Sequence, residues 1–126
     1  SNARTVEETR HGDGTFISAT FELEGQTFMA LNGGPQFPFT PAVSLFINCE
    51  TQEEVDVLWE KLTADGGKPG RCGWLTDKFG VSWQVVPTLL GKLLHDEDPV
   101  KAKKVMEAML RMDKIDSRAL QEAYAS

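Results

Sequence analysis

Residues 42–87 decide the fold, and they run AVSLFINCETQEEVDVLWEKLTADGGKPGRCGWLTDKFGVSWQVVP. The first eight, residues 42–49, are nearly all apolar and predict a strand in the middle of its sheet. Thr51 and Glu54 then have the spacing of a capping box, in which the threonine hydroxyl accepts from a helix amide while the glutamate reaches back. This spacing predicts a helix that begins at Gln52.

The predicted helix, residues 52–64, ends at the glycines of Asp65-Gly66-Gly67, because glycine accepts the left-handed backbone angles common after a helix. Two short strands should follow, at 73–76 and 81–86, separated by a turn. Asp77 is interpreted as the residue that caps this turn, and Lys78 as solvated. The apolar face of the helix is formed by Val55, Leu58, Trp59 and Leu62.

The residues before this stretch have the alternation of an antiparallel sheet. From Phe16 to Leu23 apolar and polar side chains alternate with the period of a half-buried strand. Glu24-Gly25 is a turn signal, and residues 26–32 are typical of a returning strand. Residues 4–10 fit one more strand, polar and placed at an edge.

The two ends of the chain differ from its middle. Residues 1–3, Ser-Asn-Ala, resemble the remnant of an expression tag and are excluded from the fold. Residues 88–126 have a helical pattern, in which Asp98-Pro99 is the start of a helix that runs to Met112. Residues 4–126 are therefore predicted to form one α+β domain.

Composition excludes several functional classes. The net charge of −6 disfavours nucleic acid and anionic membrane as partners. The same acidic balance favours a soluble, cytoplasmic protein, and no apolar run approaches the roughly 20 residues that span a bilayer. Cys49 and Cys72 lack the spacing of a zinc site and are interpreted as buried reduced thiols.

Three segments carry a resemblance to a known family. They are FMALNGGP at 28–35, CGWLTDKFGVSWQVVP at 72–87 and VMEAM at 105–109. Together they resemble the PhnB-like family, also labelled 3-demethylubiquinone-9 3-methyltransferase-like, of the glyoxalase/bleomycin-resistance/dioxygenase (vicinal oxygen chelate) superfamily. The run DKFGVSWQ at 77–84 is the most specific part.

The resemblance implies a fold of two paired βαβββ modules. Residues 42–87 match the second module, residues 88–126 form a helical tail, and residues 4–35 match only part of the first module. The first strand and helix of that module are not found. Because such a gap exposes a sheet edge and an apolar face, we expect a homodimer, with exchanged elements as one form of it.

The resemblance also raises the question of a metal. Glyoxalases of the superfamily hold a divalent ion with four strand side chains, and three of the positions align here with Phe28, Ala42 and Gln84. Of these only Gln84 could ligate, and one neutral amide cannot hold a divalent ion. No metal site and no cofactor are therefore predicted.

The family label itself suggests methyl transfer. The common S-adenosylmethionine enzymes need alternating βα units and a Gly-rich first loop. Asn32-Gly33-Gly34 is a turn signal rather than such a loop, and the chain is too short for that fold. Methyl transfer stays an alternative that rests on the label alone.

Alternation indicates which side chains face the cavity of the implied fold. On the returning strand, Met29 and Leu31 should pack against a helix. The expected pocket is apolar and aromatic with a few amide and hydroxyl groups, typical of a small-molecule site. An ordinary filled core is the competing interpretation. The candidate ligand-binding residues are Phe28, Asn32, Ser44, Phe46, Trp74, Ser82 and Gln84.

The resulting hypothesis is a PhnB-like, glyoxalase-fold protein of unknown function that binds a small, partly apolar molecule without the superfamily's usual metal. Whether it catalyses a reaction is left open, and no catalytic residue is assigned. One alternative is a metal-dependent lyase or dioxygenase completed by a partner chain. The other is methyl transfer.

Overall fold

The computed structural model describes residues 3–126, so Ser1 and Asn2 of the predicted tag remnant lie outside the described residues. Ala3, the third residue assigned to that remnant, begins the first strand. The chain divides into two compact units, one up to Pro38 and one from Phe39 onward. The single-domain organisation predicted from the sequence stays a prediction.

The first unit is a three-stranded antiparallel sheet in the order β1-β2-β3. The two-residue turn between β2 and β3 uses Glu24 and Gly25, both at positive φ, as a tight hairpin requires. The predicted polar edge strand is confirmed as β1. The strands are β1 (Ala3–Arg10), β2 (Phe16–Leu23) and β3 (Gln26–Leu31).

One prediction for this sheet is wrong. Met29 and Leu31 were expected to pack against a helix, but 79% and 76% of their surfaces are exposed. No helix lies within the described part of the first unit, so nothing there covers this side of β3. Phe28, on the opposite side, stacks on Phe21 with ring centroids 5.5 Å apart.

The second unit begins with the predicted βαβββ module. Its sheet has the order β4-β7-β6-β5, with β4 parallel to β7 and the other pairs antiparallel. The helix α1 forms the crossover between β4 and the rest. The elements are β4 (Leu45–Cys49), α1 (Gln52–Thr63), β5 (Lys68–Pro69), β6 (Trp74–Thr76) and β7 (Ser82–Pro87).

The apolar run at 42–49 was wrongly predicted to be a central strand. Among the described strands β4 pairs only with β7 and therefore lies at the edge. Its alternate residues face opposite sides of the sheet. Ile47 and Cys49 belong to the core beneath α1, whereas Phe46 is on the other side of the sheet.

The helix α1 begins as the capping box predicts, since the Thr51 hydroxyl accepts from the Glu54 amide at 3.2 Å. It covers one side of the sheet, and Trp59 lies in that contact as expected of a helix–sheet anchor. The buried centre of this core consists of Cys49, Val55, Leu75 and Val85.

Three helices follow: α2 (Thr88–Leu94), α3 (Pro99–Met109) and α4 (Ser117–Ala125). Asp98 and Asp116 cap α3 and α4 through their carboxylates. The helix α3 ends at Met109, three residues before the predicted Met112. A second core joins these helices to the sheet and contains Val86, Leu90, Val105, Ile115 and Leu120.

Polar contacts also attach the helical tail to the module. The side-chain amide of Gln52 donates to the Ile115 carbonyl at 2.9 Å and accepts from the Ser117 amide at 2.8 Å. The amides of Cys72 and Gly73 donate to the carbonyls of Met112 and Asp113 at 2.7 and 2.8 Å. The tail and the module are therefore one packed structure.

The predicted α+β class with C-terminal helices is confirmed. Within residues 3–126 no helix is long and apolar enough to cross a membrane.

Candidate functional site

The sheet of the second unit has one side packed on α1 and one side without a helix over most of its length. Strand register places Phe46, Gln84 and Trp74 in one row on this second side. Ser82 lies two residues before Gln84 on β7 and therefore has the same orientation. We call the surface formed by Ser44, Phe46, Lys68, Trp74, Thr76, Ser82 and Gln84 the open face.

The side chains of the open face are held by contacts across the strands. The Gln84 amide donates to the Ser44 hydroxyl at 3.0 Å, which fixes the side chain of Gln84 between β7 and the residue that precedes β4. Phe46 keeps 54% of its surface exposed, whereas Ser82 is only 4% exposed. Trp74 and Gln84 are half-buried. The rings of Phe46 and Trp74 and the amide of Gln84 are therefore accessible to a flat apolar group.

One end of this side of the sheet is closed by the tail. Val86, two residues beyond Gln84, is buried in the core formed with α2, α3 and α4. Its neighbour across the sheet, Asn48, remains exposed. The open face is therefore bounded by packed helices at the Val86 end of β7.

The turn between β6 and β7 positions two strands of the open face. One carboxylate oxygen of Asp77 accepts from the amides of Phe79 and Val81 at 2.9 and 3.0 Å, and the other accepts from the Trp83 indole at 2.9 Å. The interpretation of Asp77 as the turn's cap is confirmed. Lys78 is exposed, with its ammonium 5.2 Å from the centroid of the Phe79 ring.

Five of the seven predicted ligand-binding residues lie on this side of the sheet, namely Ser44, Phe46, Trp74, Ser82 and Gln84, although Ser82 is buried. The other two, Phe28 and Asn32, belong to the first unit. Asn32 follows the end of β3, and its side-chain amide donates to the Phe16 carbonyl at 3.1 Å. For these two residues a role in binding stays a prediction.

Two residues of the open face were not predicted from the sequence. Lys68 on β5 is directly opposite Thr76 on β6, and both therefore face the same side as Ser82. A two-residue strand such as Lys68–Pro69 is too short to show a period in the sequence. Only the register of the sheet reveals that Lys68 belongs to this surface.

The residues at the aligned metal positions do not fit a divalent ion. Phe28 and Ala42 have no donor atom in their side chains, and Gln84, whose Nε2 donates to Ser44, could offer a metal only its single neutral carbonyl oxygen. Among residues 3–126, no group of three or more His, Cys, Asp or Glu side chains could hold a metal ion. Hard divalent ions prefer several oxygen ligands with negative charge, which this set lacks.

Shifted pKa values occur in contacts that support the fold. Burial raises the pKa of the Cys49 thiol, and the nearby Glu54 charge adds to this effect. The thiol therefore stays protonated at neutral pH and packs as a small apolar group. In the tail, Tyr124 donates to Asp96 at 2.8 Å, and this hydrogen bond raises the pKa of the Tyr124 hydroxyl.

These features define a class of protein. A βαβββ module closed by a parallel strand pair, preceded by an antiparallel sheet and followed by helices, is an α+β fold of the glyoxalase type. A model of the family described as 3-demethylubiquinone-9 3-methyltransferase matches residues 1–86. The chain therefore belongs to this family, whose members are also called PhnB-like.

Solved structures agree with this assignment. A PhnB protein from Bacillus cereus, provisionally named a 3-demethylubiquinone-9 3-methyltransferase, is 38% identical with a TM-score of 0.64; the match covers 69% of this chain and 81% of that one. Protein PA1353 from Pseudomonas aeruginosa shares the fold at 20% identity and a TM-score of 0.50, over 63% of this chain and 68% of its own. No curated protein matches the chain.

Proposed function

We propose that this PhnB-like protein binds a small, partly apolar molecule on the open face, without a metal ion. The observation that carries the proposal is the clustering of Phe46, Trp74 and Gln84 in one row of the sheet, on the side that α1 does not cover. Two aromatic rings beside a fixed amide form the usual combination of apolar contact and orientation in small-molecule sites.

The exposure of Phe46 supports this role. An aromatic ring that remains more than half exposed on a sheet gives up much of the favourable free energy that its burial would supply. Stacking a flat molecule on Phe46 and Trp74 would recover part of that free energy. The amide of Gln84, oriented by Ser44, supplies a polar contact that selects among apolar molecules.

We also propose that the protein is a homodimer. Among the described residues of its unit, β3 pairs only with β2 and has no helix over it. Met29 and Leu31 consequently form an exposed apolar strip on β3, which a second copy of the chain would cover. Sedimentation equilibrium at micromolar concentration should give twice the chain mass, and a stable monomer would contradict the dimer.

Binding can be tested with a neutral aromatic probe, 2-naphthamide, followed through the indole N–H signals of the three tryptophans in NMR spectra. We expect the Trp74 signal to shift with saturation, while those of Trp59 and Trp83, which lie in the core beneath α1, stay in place. Substitution of each tryptophan by phenylalanine assigns the signals.

A pair of variants then locates the site. Phe46→Ala should weaken binding of 2-naphthamide about tenfold, because it removes one of the two stacking rings. Val57→Ala is the matched control, since Val57 is also exposed but lies on α1. Equal weakening by both variants, or a shift of all three indole signals together, would argue against binding on the open face.

Methyl transfer is a second candidate, favoured by the description of the matching family model. It predicts that S-adenosylmethionine binds the protein, which calorimetry would detect. A metal-dependent lyase or dioxygenase completed by a partner chain predicts one divalent ion per subunit in a native mass spectrum. Either result would favour the corresponding enzyme activity over the metal-free binding proposal.

A further inference from the structure

We infer that the open face selects a ligand that carries an anionic oxygen, such as an aromatic carboxylate or phenolate, and that Lys68 recognises this charge. The inference rests on the proposed function and adds a substrate class to it. It follows from the strand register and from the distribution of charge on this side of the sheet.

The register places Lys68 at one margin of the open face. Lys68 lies opposite Thr76, which in turn lies opposite Ser82, so these three side chains form a row across β5, β6 and β7. The adjacent row contains Trp74, Gln84 and Phe46. Lys68 and Trp74 are thus diagonal neighbours, a separation of about 7–8 Å within reach of long side chains.

The charge on this surface is of one sign. None of the described strand residues that face this side is acidic, although the protein has a net charge of −6. Lys68 is exposed, and it takes part in none of the ion pairs within residues 3–126. An anionic group would therefore meet an ammonium whose charge no carboxylate of this face compensates.

The two rows complement the two parts of one ligand. A flat ring stacked on Trp74 and Phe46 would direct its substituent toward either margin of the sheet. At the β5 margin the flexible four-carbon stem of Lys68 can bring its ammonium to a carboxylate or phenolate oxygen. The hydroxyl of Thr76, directly opposite Lys68, is a second donor for the same oxygen.

The test compares 2-naphthoate with its neutral counterpart 2-naphthamide, using the Trp74 indole signal of the full chain at low salt. We expect 2-naphthoate to bind about fivefold more tightly than 2-naphthamide, the size expected for an exposed ion pair. Lys68→Met should abolish this preference, and Lys68→Glu should reverse it. Raising the salt concentration should reduce it as well, because exposed charges are screened.

Lys61→Met is the control, since Lys61 is exposed in the last turn of α1 and its loss changes the net charge equally. If both lysine variants reduce the preference equally, only the overall charge matters and the inference is wrong. The inference is also wrong if the wild-type protein binds both probes equally, in which case the proposed function still stands. If neither probe shifts the Trp74 signal, both the inference and the proposed function are wrong.

Discussion

Asp77→Ala should lower the free energy of unfolding by about 3 kcal/mol. The carboxylate of Asp77 accepts three hydrogen bonds, from two turn amides and from the indole of Trp83. Removing it leaves these donors without their partner, and each unsatisfied donor that is shielded from water costs about 1–3 kcal/mol. Val81 and Trp83 are half-buried, so water can replace the carboxylate only in part.

Urea denaturation of the wild-type and variant proteins would measure this loss. Asp77→Asn should cost less, because its amide oxygen can still accept from the turn amides while its NH₂ group cannot accept from Trp83. Glu60→Ala, at an exposed position of α1, should change stability by no more than about 0.5 kcal/mol. A loss as small as this for Asp77→Ala would show that the turn forms without its cap.

Ile115→Ala should destabilise the protein by about 2–5 kcal/mol, the range found when a large core side chain is truncated. Ile115 is fully buried between α3 and α4, in the core that joins the tail to Val86 of the sheet. Its side chain also lies close to Gly73, where an added Cβ would be 3.1 Å from Ile115. The cavity would therefore open where the tail meets the module.

Urea denaturation of Ile115→Ala would measure this loss and would also test whether the tail and the module unfold together. The hydrogen bonds from Gln52, Cys72 and Gly73 predict that the tail and the module unfold together, so circular dichroism and tryptophan fluorescence should report one shared midpoint. Leu110→Ala is the control, because Leu110 is 53% exposed and its truncation should lower the free energy of unfolding only slightly. An Ile115→Ala midpoint within error of the control would contradict the packing of the tail on the sheet.

Local signals allowed much of the module to be predicted from the sequence. The capping box fixed the start of α1 to the residue, and the alternation at 16–23 identified β2, because both depend on residues that are neighbours in the chain. The interpretation of Asp77 needed only a turn a few residues long. Alternation along β7 also grouped Ser82 and Gln84 as candidates for one surface, with Trp74 on the short strand beside them.

Other features could not be predicted because they depend on residues far apart in sequence. The continuous apolar run at 42–49 is compatible with either a central or an edge strand, and only the observed pairing places β4 at the edge. Likewise, an apolar period on β3 indicates a side that can be buried, but not whether anything in the described chain buries Met29 and Leu31.

The sequence by itself determined the family, through the resemblance of three segments. It also determined the α+β class and the order of the elements other than β5, since periodicity, caps and turn residues act over a few positions. The tertiary structure decided which side chains share a surface. The bond from Gln84 to Ser44 joins residues 40 positions apart, and the place of Lys68 beside Thr76 follows from strand register alone. A register is set by packing and hydrogen bonding across strands, and a shift of one residue would turn Lys68 to the opposite side of the sheet.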